Sequence, residues 1–250
     1  MGIDFAGSNV STSPRINCGC NSDFNFGTGD LTFMLIICPH DISTRRQQMF
    51  SKDDLAGRAW EMELNPSSVA GRVNTVLFCG GTIWTTYTTN SYLVANTWYV
   101  MFFTRTGNQS AIWLNGSKPT IASVNPTTAA LNYHSNVNLY MAYRSYTNYW
   151  EGYDGLIASA AMWNVKLADD LIISISKSWK RNILNVASGG LIRYWFCDDF
   201  GSSGNSSLDY YGPVLDHSYK QQHGWPEGSE TLFPTGAPDC LSYVGKIMVV

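Results

Sequence analysis

The chain has 250 residues, enough for one large domain, with a formal net charge of −3 and 14% charged residues, against roughly a quarter in an average soluble domain. Its longest basic runs are the pairs Arg45-Arg46 and Lys180-Arg181, so it lacks the positive footprint of a nucleic-acid-binding surface. No apolar stretch approaches the ~20 residues of a membrane-spanning helix, and we expect no membrane insertion.

Short apolar segments recur along the chain, separated by clusters of Gly, Asn, Pro and Ser, as in an all-β sandwich. The predicted strands lie, in chain order, near residues 3–7, 31–38, 58–64, 73–79, 82–88, 98–104, 110–115, 137–143, 155–163 and 191–197. Residues 168–179 alone have apolar positions at helical spacing, with acidic residues at the start and lysines near the end, which predicts one short helix.

The clearest local signal is the stretch Asn96–Lys118, which reads NTWYVMFFTRTGNQSAIWLNGSK. An apolar strand follows Trp98, a polar turn lies at Thr106–Ser110, and a second strand ends at Asn115-Gly116. Asn and Gly tolerate positive φ, so this pattern predicts a β-hairpin followed by a tight turn.

Together with Gly155–Leu167 (GLIASAAMWNVKL), this hairpin resembles the laminin-G-like jelly roll of the concanavalin A-like lectin/glucanase superfamily. Ile3–Asn9, Phe26–Pro39 and Leu191–Phe196 are similar to further strands of that family, in the same order. The resemblance implies an all-β fold: a two-sheet antiparallel β-sandwich (jelly roll) with one short helix. It leaves function open, because this fold hosts lectins, hydrolases, adhesion modules and virion proteins.

The composition changes after about Gly201, where Gly, Pro and Ser become frequent. The chain then ends in Ser242–Val250, an apolar stretch that reads as a strand. We assign residues 1–200 to the sandwich and residues 201–250 to an extended C-terminal arm. The arm either packs on its own sandwich or adds to a neighbouring subunit as an extra strand.

The strongest catalytic candidate is the strand segment WEMELN, which starts at Trp60. Strand alternation puts Glu61, Glu63 and Asn65 on one face of the sheet. Some glucanases of the superfamily place their acids at such alternate positions, but Asn65 stands where a third acid would be. We therefore interpret Glu61 and Glu63 as solvent-facing and assign no catalytic residue, with a glycoside hydrolase that uses these two glutamates as an alternative.

No metal ligand or cofactor is predicted. Calcium is common in the superfamily and stays an alternative, although Ala158 and Ser159 stand where many relatives carry an acidic pair. Cys18 and Cys20 have no His or second Cys pair at zinc spacing. Three other cysteines lie in or beside apolar strands and are predicted to be small buried hydrophobes: Cys38, Cys79 and Cys197.

Two aromatic stretches, Tyr143–Tyr153 and Ile83–Tyr92, are candidate binding loops. Aromatic rings with a few polar groups suit sugars, and aromatics with Arg also suit protein interfaces. The predicted contact residues for a glycan or protein surface are Arg144, Tyr146, Asn148, Tyr149, Trp150, Trp84 and Tyr87. The alternative is that about half of these rings alternate into the core.

The leading functional hypothesis is a non-enzymatic structural or binding protein on a virion surface, such as a bacteriophage capsid-decoration or fibre protein. It would form homo-oligomers or contact other capsid subunits through the arm, and attach to cell-surface or mucus glycans. The start MGIDFAGSNV lacks the basic and apolar regions of a signal peptide, so we expect synthesis in the host cytoplasm without export. A free-standing carbohydrate-binding lectin module is the alternative.

Overall fold

The computed structural model describes residues 3–6, 15–43, 45–54, 57–66, 69–146, 149–178, 183–200, 214–218 and 225–227. The strands are β1 (Ile3–Ala6), β2 (Arg15–Asn17), β3 (Leu31–Pro39), β4 (Gln47–Asp54), β5 (Gly57–Leu64), β6 (Val73–Cys79), β7 (Thr82–Thr88), β8 (Tyr99–Thr106), β9 (Gln109–Leu114), β10 (Ile121–Val124), β11 (Tyr140–Met141), β12 (Ser145–Tyr146), β13 (Tyr149–Trp150), β14 (Asp154–Trp163), β15 (Leu191–Phe200), β16 (Val214–Asp216) and β17 (Trp225–Glu227). The helices are α1 (Asp169–Lys177) and the single turn α2 (Ile183–Val186), with a 3-10 turn at Ser22–Phe24. Within these ranges no helix has the length and apolar character to cross a bilayer.

The strands form two sheets. The seven-stranded sheet has the order β16-β15-β14-β3-β8-β9, with β1 also paired to β14. The ten-stranded sheet has the order β10-β7-β6-β5-β4-β11-β2-β17, with the hairpin β12–β13 joined to β4. In the described part of the chain the strand pairs are antiparallel apart from the short parallel bridge between β12 and β4. The predicted fold class, a mostly antiparallel β-sandwich with one short helix, is confirmed.

The main core lies between the two sheets, where alternate residues of each strand point inward. Its centre is aromatic: the ring centroids of Phe33 and Trp60 are 4.4 Å apart, and those of Phe50 and Trp60 are 5.0 Å apart. Phe33 belongs to the seven-stranded sheet, whereas Phe50 and Trp60 belong to the other. These rings therefore join the sheets face to face.

A second core covers the other face of the seven-stranded sheet. Residues of β3, β8, β9 and β14 pack there against α1 and α2, namely Met34, Ile36, Phe102, Trp113, Trp163, Ile172, Ile175 and Ile183. Because both of its faces are covered, β3 is buried along its whole length and reads as a continuous apolar run rather than an alternating one.

Turn chemistry sets the registers as predicted. Asn115 and Gly116 adopt positive φ values of 51° and 79°, and Asn115 Oδ1 accepts a hydrogen bond of 2.8 Å from the Val100 amide. Gly155 at the start of β14 is also required: a Cβ there would lie 2.5 Å from the Cys38 carbonyl oxygen. The hairpin β8–β9 and the glycine-led strand β14 are thus confirmed.

Some strands were not predicted from the sequence. The clearest is β4, whose sequence QQMFSKDD is polar and does not alternate. The register of β4 against β5 shifts after Gln48 and again after Lys52, and each shift breaks the period of two on which the prediction depended. The strand predicted at residues 137–143 shortens to Tyr140–Met141.

Two described pieces of the arm pair with the sandwich. Residue Asp216 of β16 lies opposite Trp195 of β15, and Trp225 of β17 lies opposite Asn17 of β2. Each sheet therefore takes one edge strand from beyond residue 200. The predicted strand Ser242–Val250 lies outside the described residues.

The cysteine prediction is confirmed for the three positions it named. Cys38, Cys79 and Cys197 are at most 5% exposed, and Cys18 is also buried.

Candidate functional site

Strand β5 presents its acids on the face away from the main core. Trp60, Met62 and Leu64 point inward, so alternation turns Glu61 and Glu63 outward, as predicted. Yet the two glutamates are 0% and 1% exposed, so the prediction that they face solvent is wrong. Side chains from distant segments cover this part of the sheet.

Asn65 does not continue that row. It adopts a positive φ of 59° just beyond β5, where its side chain organises a turn. Its Oδ1 accepts from the Gly71 amide at 2.7 Å and its Nδ2 donates to the Arg45 carbonyl at 2.9 Å. The third position of the glucanase-like pattern is therefore structural.

The outer-face cluster, as we name it, consists of the polar side chains packed on the outside of β4, β5 and β6. It combines four carboxylates, three guanidinium groups and two amides: Asp53, Glu61, Glu63, Glu151, Arg46, Arg58, Arg144, Gln48 and Asn74. Buried charges are tolerated only when they are paired and hydrogen-bonded, and each carboxylate of this cluster contacts at least one guanidinium group.

Gln48 and Arg46 draw three of the carboxylates together. Gln48 Nε2 lies 3.0 Å from a carboxylate oxygen of Glu61, of Glu63 and of Glu151. Arg46 Nη2 donates to Glu61 Oε2 at 2.9 Å and also contacts Glu63, while its Nε lies 3.3 Å from Glu151. Asn74 adds a 2.8 Å donor to Glu63.

Arg58 and Arg144 complete the cluster around Asp53. Arg58 donates to Asp53 at 3.1 Å and to Glu61 at 2.8 Å, with its guanidinium 4.0 Å from the centre of the Phe78 ring. Arg144 lies 3.1 Å from Asp53 and 3.4 Å from Glu61. Its side chain is only 4% exposed, so Arg144 acts inside the molecule and not at a surface.

The electrostatics of the glutamate pair follow from this burial. Burial raises the pKa of Glu63 to about 7, with the neighbouring Glu61 adding to the rise and Arg46 opposing it. Burial also raises the pKa of Glu61, against the pull of the Arg144 charge. Both carboxyls therefore favour the protonated form more than an ordinary glutamate does.

The cluster also forms the base of the hairpin β12–β13. Arg144 precedes β12 and Glu151 follows β13; the Arg144 Nη1 atom lies 3.4 Å from a Glu151 carboxylate oxygen. The Glu151 amide donates to the Arg144 carbonyl at 3.4 Å, and Ser145 bridges to Asp54 of β4. The aromatic stretch predicted as a loop is therefore a short hairpin tied to the large sheet.

The predicted contact residues fall into separate places. Arg144 is buried in the cluster. Tyr146, Tyr149 and Trp150 lie in the hairpin strands, with side chains outside the described part of the structure, and Asn148 lies outside the described residues. Their role in binding stays a prediction.

Trp84 and Tyr87 lie in β7 rather than in a loop. The Trp84 indole is 1% exposed in the main core and donates to Ser123 Oγ at 2.7 Å, which corrects the expectation of an exposed contact. Tyr87 is partly exposed on the outer face, with the Arg72 guanidinium 5.1 Å from its ring centre. The seven residues thus do not form one surface.

The sequence analysis missed several members of the cluster, above all Arg46, Gln48, Asp53 and Glu151. A signal was present: Arg45-Arg46 directly precedes the polar stretch QQMFSKDD, and a strand with that many polar side chains needs partners. The partners come from β5 and from the 144–151 segment, which local patterns do not connect.

The arrangement limits the chemistry of the site. With both glutamates enclosed and bridged by Arg46, a sugar cannot contact either carboxylate in this conformation. Among the described residues no three His, Cys, Asp or Glu side chains are placed to hold a metal ion.

Comparison with known proteins agrees with the lectin-like sandwich described above. The chain belongs to the concanavalin A-like lectin/glucanases superfamily: a laminin-G family with that description matches residues 13–172. No curated protein matches the chain in sequence.

Solved structures share the fold at low identity. A putative carbohydrate binding protein from Bacteroides ovatus is 14% identical with a TM-score of 0.61, covering 91% of this chain and 59% of that one. The heptameric SAP-like pentraxin of Limulus polyphemus is 13% identical with a TM-score of 0.51, covering 70% and 80%. Tailspike protein 2 of the Escherichia coli O157:H7 bacteriophage CAB120 is 13% identical with a TM-score of 0.53, covering 79% and 26%. The chain thus spans 59% of the Bacteroides protein, and these likenesses show the fold alone.

Proposed function

We propose that the protein is a non-enzymatic glycan-binding module whose contact surface is the hairpin β12–β13. The observation that carries this proposal is the fastening of the hairpin base to the large sheet through Arg144 and Glu151. A backbone held in this way loses little freedom on binding, and the hairpin carries Tyr146, Tyr149 and Trp150. Aromatic faces with a nearby amide suit the C–H faces and hydroxyls of sugars.

The superfamily and the neighbouring folds support this proposal. The superfamily contains lectins, and the Bacteroides ovatus structure is described as a putative carbohydrate binding protein. These similarities concern the fold. The hypothesis of where this chain binds a glycan comes from the hairpin β12–β13.

A glycan array with the wild-type protein and the variants Tyr149→Ala and Trp150→Ala tests the proposal. We expect wild-type binding to at least one glycan class and at least a tenfold loss in each variant, since an aromatic anchor carries about 1–3 kcal/mol. Val165→Ala, on the helix-covered side of the sandwich, is the matched control and should bind as wild type. Full binding by both aromatic variants contradicts this site.

The absence of catalysis is part of the proposal. The hydrolase alternative depends on Glu61 and Glu63, which are enclosed and paired with guanidinium groups. We expect no sugar release from a panel of polysaccharides by either the wild type or Glu61→Gln. Hydrolysis by the wild type that disappears in Glu61→Gln contradicts the non-enzymatic assignment.

We further propose that this binding serves a virion surface, with the protein as a capsid-decoration or fibre subunit that assembles through the arm beyond Glu227. The occurrence of this fold in a bacteriophage tailspike supports that setting. The arm strands β16 and β17 pair with the sandwich, so a truncation after Glu227 leaves them in place. Light scattering should find an oligomer for the full chain and a monomer for the truncated chain. A monomer in both cases favours a free-standing lectin.

A further inference from the structure

The outer-face cluster holds an unbalanced set of charges. Among the described residues its four carboxylates face three guanidinium groups, so the fully ionised cluster carries one excess negative charge, and its carboxylates Asp53, Glu61 and Glu63 are at most 1% exposed. An uncompensated buried charge is costly, and one bound proton removes the imbalance.

The hydrogen bonds of the cluster are also short of donors. Gln48 Nε2 has two hydrogens, yet carboxylate oxygens of Glu61, Glu63 and Glu151 all lie 3.0 Å from it. In the described structure the Oε1 atom of Gln48 and the Oδ1 atom of Asn74 are buried and have no donor. A proton on Glu61 or Glu63 adds one donor to this group of acceptors, at two carboxyls that already share contacts with Gln48 Nε2 and Arg46 Nη2.

We propose that the cluster takes up one proton, shared by Glu61 and Glu63, and that this proton stabilises the attachment of hairpin β12–β13 to the sheet. With the proton bound, the charges balance and Arg144 and Glu151 hold the hairpin base. With the proton lost, the carboxylates repel one another and the base opens more often. On the proposed function, the hairpin then binds glycans more strongly in mildly acidic than in alkaline solution.

The groups that face the glutamate pair come from every neighbouring element. They are Asp53 from β4, Arg46 from the segment before β4, Arg58 from β5, and Arg144 and Glu151 from the hairpin base. Lys52 of β4 points elsewhere, to the carbonyl oxygens of His134 and Val137. Arg72 faces Tyr87 one strand further along the sheet.

A histidine also lies near the hairpin. His40 Nδ1 lies 3.7 Å from Asp154, which follows the hairpin along the chain, and Arg45 donates to the Gly152 carbonyl. The experiment must therefore separate His40 from Glu63.

The direction of the effect follows from linkage. Burial raises the pKa of Glu63 to about 7, whereas in an open, hydrated hairpin base the carboxyl returns toward its ordinary value of about 4.5. The closed state therefore binds the proton more tightly than the open state. Between these two values the opening equilibrium constant should rise about tenfold for each pH unit, and it should level off above about pH 7.

Amide hydrogen exchange of residues 142–153 in the full chain, measured from pH 5.5 to 8.5 and corrected for the intrinsic exchange rate, tests the proposal. For the wild type we expect opening to increase about 15-fold between pH 5.5 and pH 7 and to level off at about 30-fold by pH 8.5. Glu63→Gln should show nearly constant opening, and the control His40→Gln should keep the wild-type rise. A flat wild-type profile, or a rise that persists in Glu63→Gln, overturns the proposal.

A second measurement needs no variant. The wild-type infrared spectrum at pH 6 should contain a carboxylic acid carbonyl band that disappears with a midpoint near pH 7. No such band at pH 6 overturns the proposal even if Glu63→Gln does not fold. Both measurements are made without a glycan, so they test this inference separately from the proposed function. If opening rises with pH but the glycan array shows no binding, only the proposed function is contradicted. If the protein binds a glycan but its hydrogen exchange does not change with pH, only this inference is contradicted.

Discussion

The two outer faces of the sandwich are covered in opposite ways. On the seven-stranded sheet, α1 and α2 close an apolar layer around residues such as Phe102 and Trp163. On the ten-stranded sheet, Arg46, Arg58 and Arg144 cover a layer of buried acids. Apolar packing is insensitive to pH, whereas paired charges respond to it. One side therefore serves as a scaffold, and the other fastens the hairpin β12–β13 to the sheet.

The largest expected effect lies on the apolar side. Trp163→Ala removes a fully buried ring, whose Nε1 donates to the Ala187 carbonyl at 2.7 Å, and should cost about 4 kcal/mol of unfolding free energy. The loss should be the same at pH 5.5 and pH 8, as measured by urea unfolding. Val165→Ala, at an exposed position, is the control. A loss of unfolding free energy below about 1 kcal/mol, or one that changes with pH, would contradict the difference proposed between the two faces.

The next effect lies in the outer-face cluster. Arg144→Ala leaves Asp53, Glu61 and Glu151 short of a positive partner and should cost about 3 kcal/mol at pH 8. The cost should be smaller at pH 5.5, because an unpaired carboxylate can take a proton. Arg58→Ala should cost less than Arg144→Ala, since the Arg58 side chain is 30% exposed and water can replace part of its contacts.

The outer-face cluster should also make the overall stability of the protein depend on pH. Glu63 has a folded pKa of about 7 and an ordinary value of 4.5. Its contribution to stability is therefore fully present below about pH 4.5 and is lost as the pH rises to about 7. Relative to Glu63→Gln, the wild type should lose about 2 kcal/mol between pH 5.5 and pH 7 in urea unfolding. A constant difference between the two proteins across this range would contradict the expected linkage.

The smallest effect concerns an exposed ion pair on the scaffold side. Asp169 begins α1 and lies 2.7 Å from Lys118 Nζ and 2.9 Å from Lys166 Nζ. Hydrogen bonds from the two lysines lower its pKa, so it stays ionised at neutral pH. Because the pair is solvent-exposed, Asp169→Asn should cost less than about 1 kcal/mol and should leave hairpin exchange unchanged. A larger loss would mean that surface charge also matters on this face.

The local part of the fold could be predicted from the sequence. Asn115-Gly116 and Gly155 require backbone conformations that few residues adopt, so their neighbours' strands were identifiable one segment at a time. Apolar spacing likewise identified α1 to within a few residues. At these positions the residues that determine the local structure lie in the same short stretch of sequence as that structure.

The candidate site could not be predicted in the same way. Alternation correctly assigned Glu61 and Glu63 to the outer face, but their burial depends on Arg46 and Arg144, which reach them across the fold. Trp84 shows the opposite error: its place in an aromatic stretch predicted a binding loop, whereas its indole fills the main core. Exposure is a property of tertiary contacts, and strand patterns alone do not report it.

Strand β14 has consequences for how the protein is made. It pairs with β3 along one side, and along the other with β1 near Gly155 and with β15 near Trp163. Strands β1 and β3 therefore cannot complete their pairing with β14 until residue 163 has left the ribosome, long after they have emerged themselves. Such distant pairings fold slowly, in milliseconds to seconds, and a half-made chain exposes the apolar strand β3 meanwhile. During synthesis, β3 is the segment on which we expect chaperones to act.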